Sequence, residues 1–187
     1  MLFRSVGFSN EDIRQLWDLG ISAVNIQGVG GTSFARINTM ASMTLAQKQT
    51  DPPVKKPYDF WGIPTLWSLL DVSLRSENHE IPLIVGGGIR NGIQAVKALA
   101  LGADLVSLGY PILIELMEDF GYPDEKNLFK WFENFILEMK MTMCLLGAKN
   151  ITELREIARN RIIFFGKTKD WIAGRNLIYP PTKGRDL

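Results

Sequence analysis

Two glycine-containing runs, GGGIRNG and SLGYP, follow short apolar segments, residues 81–85 and 103–106, and are candidate phosphate-binding loops. Glycine has no Cβ, so a phosphate oxygen can reach the main chain and accept hydrogen bonds from backbone N–H groups. The candidate donors are Gly87, Gly88 and Ile89 in the first run and Leu108 and Gly109 in the second. The alternative is that the glycine triplet only makes a tight turn between a strand and a helix. The sequence favours phosphate binding, because such a turn requires one glycine and not three.

A dinucleotide-binding loop also uses glycines, in the pattern G-x-G-x-x-G after a first strand. The run GVGGTS, residues 28–33, lacks the third glycine, and so does GGGIRN, residues 86–91. In such a loop an acidic residue about twenty positions further on binds the ribose. Leu108 stands at that distance from Gly88, and the sequence therefore disfavours this class.

Strand and helix patterns alternate along the chain. The predicted elements are strands near residues 3–7, 23–27, 82–86 and 104–108 and helices near 9–20, 63–77, 90–102, 111–121 and 127–147. The tail, residues 150–176, is predicted to form a short helix, a short apolar strand and a last helical turn. Apolar strands joined by helices form a parallel sheet, either open and doubly wound or closed into a (β/α)8 barrel. The barrel is favoured, because barrel enzymes bind phosphate at the loops after their last two strands.

Composition and charge exclude several classes of function. The chain has 187 residues, 46% of them hydrophobic, with a net charge of +1 and scattered basic residues, so no nucleic-acid partner is predicted. No apolar run is long enough to span a membrane. The single cysteine, Cys144, cannot form an internal disulfide, which is typical of the reducing cytoplasm. We therefore expect one cytoplasmic domain covering residues 1–187.

The segment IPLIVGGGIRNGIQAVKALALGADLVSLGYP, residues 81–111, resembles the last two βα units of the FMN-dependent (β/α)8 enzymes. Three more segments, AVNIQGVGGTSFARI, WGIPTLWSLL and MCLLGAKNITELREI, are similar to the type 2 isopentenyl-diphosphate isomerases. That resemblance covers almost the whole chain. It implies an enzyme that interconverts isopentenyl and dimethylallyl diphosphate with reduced FMN acting in proton transfer. It also implies that NADPH keeps the flavin reduced, that Mg2+ holds the substrate diphosphate, and that the protein forms homo-oligomers.

The resemblance carries over to individual positions. The residues that it implies for FMN binding are Arg4, Gln27, Thr32, Gly87, Gly88, Ile89, Leu108 and Gly109. Two of these depart from the family pattern. Arg4 stands where the family has a lysine that approaches the flavin, and Gln27 stands where it usually has a serine. Arginine's planar fork does not replace an ammonium group freely, so Arg4 is the weaker assignment.

The chain is short for a complete barrel, which takes about 250 residues. Only four barrel strands are predicted, which indicates the C-terminal half, about strands 5–8. The family's catalytic glutamine and its Mg2+-binding glutamate fall in the other half, so no catalytic residue and no metal ligand are predicted in this chain. Two alternatives stay open: another FMN-dependent oxidoreductase, and a non-catalytic half barrel that binds phosphate.

Three further residues lie near the glycine runs or between predicted elements. Arg90 either adds positive charge to the phosphate site or points to solvent. Gly92 is placed at a helix start, where alanine is expected to have a mild effect. His79 lies in the polar stretch SENHE and is expected to be a solvated loop residue without a catalytic role.

Overall fold

The computed structural model describes residues 2–4, 6–33, 37, 61–75, 81–117 and 125–177. Its strands are β1 (Leu2–Arg4), β2 (Val24–Gln27), β3 (Leu83–Gly86) and β4 (Leu105–Val106). Its helices are α1 (Asn10–Asp18), α2 (Thr65–Arg75), α3 (Gly92–Ala100), α4 (Tyr110–Leu116), α5 (Glu125–Leu146), α6 (Ile151–Arg161) and α7 (Gly166–Gly174). The predicted α/β alternation is therefore confirmed in these parts of the chain.

The strands form one parallel sheet in the order β1-β2-β3-β4. Chain order and spatial order coincide, whereas the strand order of a doubly wound sheet reverses at a switch point. With right-handed connections, strands added in one direction place all their helices on one face of the sheet. The described sheet therefore has the strand order that is typical of the wall of a (β/α)8 barrel.

The two faces of the sheet differ in polarity. Val24, Ile26, Leu83 and Val85 are at most 1% exposed and belong to the apolar core that also contains residues of α2 and α3. The alternate positions of β2 are polar, Asn25 and Gln27. Side chains alternate between the faces of a strand, so these polar groups lie on the face opposite the helices.

Two parts of the tail differ from the sequence prediction. Residues 162–165 are not a strand, although Ile162 and Phe164 pack on the core while Ile163 and Phe165 are 71% and 78% exposed. The short apolar run is what suggested a strand, but no strand among the described residues pairs with the segment. An apolar run alone does not supply the hydrogen-bonding partner that a strand needs. The segment predicted as a last helical turn forms the nine-residue helix α7.

The predicted strands near residues 3–7 and 104–108 are also shorter than expected. Gly7 has φ of +81°, outside the strand region, and β1 ends at Arg4. At the start of β4, the Asp104 carboxylate accepts a hydrogen bond from the Leu83 N–H at 2.8 Å. A side chain thus takes the place of one main-chain contact, and β4 keeps two residues.

Helix α2 carries a stripe of polar side chains at spacings of three residues: the half-buried Thr65 and the buried Ser68 and Asp71. Ser68, fully buried, accepts a hydrogen bond from the Phe8 N–H at 2.9 Å and donates its hydroxyl to the Phe8 carbonyl. Asp71, 3% exposed, accepts from the Asn10 N–H at 3.1 Å. The stripe therefore holds the connection between β1 and α1 against α2.

The tail returns to the same helix. Trp171 of α7 stacks on Trp67 with ring centroids 5.3 Å apart, and the Arg175 guanidinium lies 5.3 Å from the Trp171 ring. Arg175 also pairs with Asp71 at 3.2 Å. Stacking and a shared carboxylate thus fasten α7 to α2.

None of the helices in the described ranges is long and apolar enough to cross a membrane.

Candidate functional site

A cavity of about 780 Å³ opens where β2, β3 and β4 end. The residues predicted for FMN binding that line it are Gln27, Thr32, Gly87, Gly88, Ile89, Leu108 and Gly109. Arg4 is not among the lining residues. It lies in β1 opposite Ile26, and its side chain falls outside the described part of the chain. The fold thus brings the two predicted phosphate loops together at the carboxyl ends of parallel strands, where such sheets bind ligands.

Several main-chain donors at the cavity have no acceptor in the described part of the chain. They include the N–H groups of Gly88, Ile89, Leu108 and Gly109. Buried main-chain N–H groups are nearly always paired, with protein, water or ligand. Ile89 is buried, Gly88 and Leu108 are half-buried, and Gly109 is exposed. Four such donors in two adjacent loops form a cradle suited to an anion with several oxygens.

Among the residues that the structure describes, Arg90 is the only charged one that lines the cavity. Its guanidinium donates to the Gly30 carbonyl at 3.3 Å, and its own N–H donates to the Gln94 side chain at 2.7 Å. The side chain is exposed, yet it lies across the glycine loops. Arg90 is therefore exposed to solvent, and its positive charge at the glycine loops would favour an anionic ligand.

The start of α3 is already occupied by side chains of the protein. The Gly92 N–H donates to the Glu138 carboxylate at 2.7 Å, and the Gln94 N–H donates to the Asn91 side chain at 2.9 Å. These bonds satisfy donors that a helix start otherwise leaves open. The donors available to an anion therefore lie in the loop before α3.

The glycine triplet has a packing reason that the sequence did not reveal. Gly88 has φ of +95°, and an added Cβ would lie 2.5 Å from the Gly30 carbonyl oxygen. Gly87 has φ of +87°, and a Cβ there would overlap the Gly28 carbonyl oxygen. The loop after β3 thus packs directly on the loop after β2. By contrast, a Cβ on Gly109 would meet nothing within 4 Å, so that position faces open space.

Two polar residues that the sequence prediction missed, Asn25 and Ser107, lie beside the cradle and contact the predicted residue Gln27. The Gln27 amide donates to the Asn25 side chain at 3.1 Å and to the Ser107 hydroxyl at 2.5 Å. The second bond passes over Gly86, where a Cβ would overlap both partners. Asn25 and Ser107 also line the cavity. The signal that identifies them is a polar residue at alternate positions of an otherwise apolar strand.

No group of three or more His, Cys, Asp or Glu side chains within the described ranges is arranged to hold a metal ion. His79 lies in residues 76–80, outside the described part of the chain, so its expected solvated position stays a prediction.

Residues 8–160 match the FMN-dependent dehydrogenase family. The chain belongs to this family. An isopentenyl-diphosphate delta-isomerase of Methanococcus aeolicus is 34% identical over 166 residues, which are 89% of this chain and 42% of that protein. An isopentenyl-diphosphate delta-isomerase of Oceanobacillus iheyensis is also 34% identical, over 84% of this chain and 42% of that protein. These relatives confirm the predicted resemblance, and the chain spans about two fifths of their length.

Solved structures of other proteins share the fold. A lactate oxidase of Pediococcus acidilactici superposes with a TM-score of 0.56 at 23% identity, over 82% of this chain and 34% of that one. A mandelate oxidase bound to benzoyl-formic acid superposes with a TM-score of 0.55 at 21% identity, over 80% of this chain and 36% of that one. At this level of identity the likeness identifies the FMN-dependent dehydrogenase fold and no particular reaction.

Proposed function

We propose that this chain supplies the phosphate-binding part of an FMN-dependent isopentenyl-diphosphate delta-isomerase. The observation that carries the proposal is the cavity with unpaired N–H groups in the loops after β3 and β4 and Arg90 beside them. We infer the reaction from the isomerases among the relatives and the cofactor from the family.

The cavity fits the phosphate end of FMN. The N–H groups of Gly88, Ile89, Leu108 and Gly109 would hold the phosphate oxygens, and Arg90 would add a positive charge. Hydrogen bonds to a charged group contribute about 1.5–3 kcal/mol each, so a few of them supply a substantial part of cofactor affinity. Gly87 allows the close loop packing that presents these donors.

Other residues are proposed to contact the remainder of FMN. Thr32 and Gln27 line the same cavity, and Gln27 is held by Asn25 and Ser107. Arg4 is retained as a proposed contact on the resemblance alone. The bound flavin would supply proton transfer at the substrate's alkene, while the residues of this chain bind and orient it. We propose no catalytic residue and no metal ligand in this chain.

The remaining expectations belong to the proposal as a whole. The chain corresponds to the C-terminal half of the barrel as one domain, and the other half carries the catalytic glutamine and the glutamate that binds Mg2+. NADPH would reduce the flavin, and isopentenyl diphosphate would be the substrate. The complete protein would form homo-oligomers in the cytoplasm. Exposed apolar side chains on α4 and α5, including Leu113 and Phe129 at 53% and 68% exposure, support such association.

Flavin titration followed by an isomerase assay tests the proposal. We expect the chain to bind FMN more tightly than riboflavin, which lacks the phosphate. With reduced FMN and Mg2+ it should form no dimethylallyl diphosphate, because binding the cofactor's tail gives no transition-state stabilisation. A fusion to the complementary part of the Methanococcus aeolicus isomerase should restore turnover.

Each part of the proposal can fail separately. Equal affinity for FMN and riboflavin would contradict the proposed phosphate site. Flavin reduction by a 2-hydroxy acid in the fusion, without isomerisation, would favour the oxidoreductase alternative. Turnover by this chain alone would place catalytic groups within it. Phosphate-dependent binding in a folded fusion that has no activity of either kind would favour the non-catalytic half barrel.

A further inference from the structure

Thr65, the first residue of α2, contacts both glycine loops. Its N–H donates to the Val29 carbonyl at 3.3 Å, and its hydroxyl donates to the Gly87 carbonyl at 2.6 Å. Thr65 also fills the space beside Gly28, where a Cβ would overlap its main chain. The residue therefore links the loop after β2 to the loop after β3.

The bond to Gly87 fixes the direction of the next N–H group. In a trans peptide the C=O and the following N–H point in opposite directions. Because the Gly87 carbonyl is directed at Thr65, the Gly88 N–H is directed away from Thr65. Gly88 lines the cavity, and its N–H has no acceptor in the part of the chain that the structure describes.

This peptide has little intrinsic preference for one orientation. It lies between two glycines, which populate positive and negative φ about equally well. Gly87 and Gly88 have φ of +87° and +95°, and no side chain of their own restrains them. Main-chain packing on Gly28 and Gly30 restrains the position of the loop, and the hydrogen bond from Thr65 adds the directional contact that favours the orientation presenting the N–H to a ligand.

We propose that Thr65 is a positioning residue, whose hydroxyl holds the Gly87–Gly88 peptide so that the Gly88 N–H faces a bound phosphate. The inference rests on the proposed FMN site and adds a residue outside the cavity to it. Thr65 does not line the cavity, and its effect on the ligand passes through the peptide.

Ser68 provides a matched control on the same helix. Its hydroxyl lies one turn further along α2 and also bonds to main chain, but to Phe8, away from the glycine loops. Loss of either hydroxyl removes a buried or half-buried hydrogen bond. Only the loss at Thr65 should change how the protein recognises phosphate.

The experiment measures dissociation constants for FMN and riboflavin by flavin fluorescence in the 187-residue chain. The riboflavin-to-FMN ratio isolates the phosphate contribution. In Thr65→Val we expect this ratio to fall about tenfold, the effect of one hydrogen bond to a charged group. Thr65→Ser, which keeps the hydroxyl, should retain the wild-type ratio. Ser68→Ala should lower the melting temperature and leave the ratio unchanged.

Thr65→Ala removes the same hydroxyl without a branched side chain, so it should lower the riboflavin-to-FMN ratio to the same extent. It also provides the test if Thr65→Val fails to fold. A wild-type ratio in both variants would overturn the positioning role and leave the FMN site standing. An equal fall in Ser68→Ala would assign the effect to lost stability and overturn the role as well. A ratio of one in the wild-type chain would overturn the FMN site itself, and the role of Thr65 with it.

Discussion

Two of the glycines that line the cavity, Gly88 and Gly109, give opposite predictions for the same substitution. Gly88 has φ of +95°, a region that costs a residue with a side chain about 1–3 kcal/mol. Its added Cβ would also lie 2.5 Å from the Gly30 carbonyl oxygen and 2.7 Å from the carbonyl carbon. Both neighbours are main chain, so the loops must separate, and overpacking of this kind costs about 1–3 kcal/mol.

Gly88→Ala should therefore lower the free energy of unfolding by about 2–6 kcal/mol. For a chain of this size that corresponds to a fall in the melting temperature of roughly 4–24 °C. Gly109→Ala should change stability by less than about 1 kcal/mol, because its φ of −133° suits alanine and its Cβ meets nothing within 4 Å.

Urea unfolding followed by circular dichroism measures both values, and FMN titration accompanies it. We expect Gly88→Ala to lose flavin affinity together with stability, and Gly109→Ala to retain both. Wild-type stability in Gly88→Ala would show that the two glycine loops do not touch, and the packing explanation of the triplet would be wrong. A large loss of stability in Gly109→Ala would show that the space beside that residue is filled.

Three further predictions follow from single contacts. Gly92→Ala, expected from the sequence to be mild, should cost about 1–3 kcal/mol in urea unfolding, because its Cβ would overlap the Phe135 carbonyl oxygen and lie 2.7 Å from Glu138 Cβ. Gly174→Ala, with nothing within 4 Å, is its control, and an equal cost at both positions would contradict the packing of α3 on α5. Arg90→Ala should weaken FMN binding roughly two- to fivefold at low salt but not at 1 M salt, and it should leave riboflavin binding unchanged. A loss of FMN affinity that persists in 1 M salt would show that Arg90 does not act through a screened charge. Asp71→Ala should cost about 2–3 kcal/mol and change Trp fluorescence as α7 loosens from Trp67, since Asp71 accepts from Asn10, Arg75 and Arg175; unchanged fluorescence would show that the stacking alone holds α7.

The sequence predicted the order and type of the main elements because they depend on local chemistry. Ser9 or Asn10, followed by acidic residues, predicts a helix start, and in the structure Ser9 is the N-cap of α1, where its side chain accepts from the Asp12 N–H. Apolar runs bounded by glycine mark β2 and β3, which need burial on the helix side of the sheet. The segment at 162–165 shows the limit, because an apolar run forms a strand only where a partner strand exists.

The meeting of the loops after β3 and β4 at one cavity was also predictable, since loops that follow neighbouring parallel strands lie at the same edge of the sheet. What the sequence alone did not determine is the reason for each glycine. Gly87 and Gly88 are required by the opposite loop, whereas Gly109 faces open space. The sequence places the two loops about sixty residues apart, so only the parallel pairing of β2 with β3 brings Gly30 against Gly88.

The polar contacts around the site were decided by tertiary structure for the same reason. Gln27 and Ser107 lie 80 positions apart and meet over Gly86 because three strands align in register. Thr65 reaches Gly87, 22 positions away, because α2 begins at the junction of two loops. Residue type determines what a side chain can donate or accept. Which partner it finds across the sheet depends on strand register and helix placement, and those are fixed by burial of the whole core.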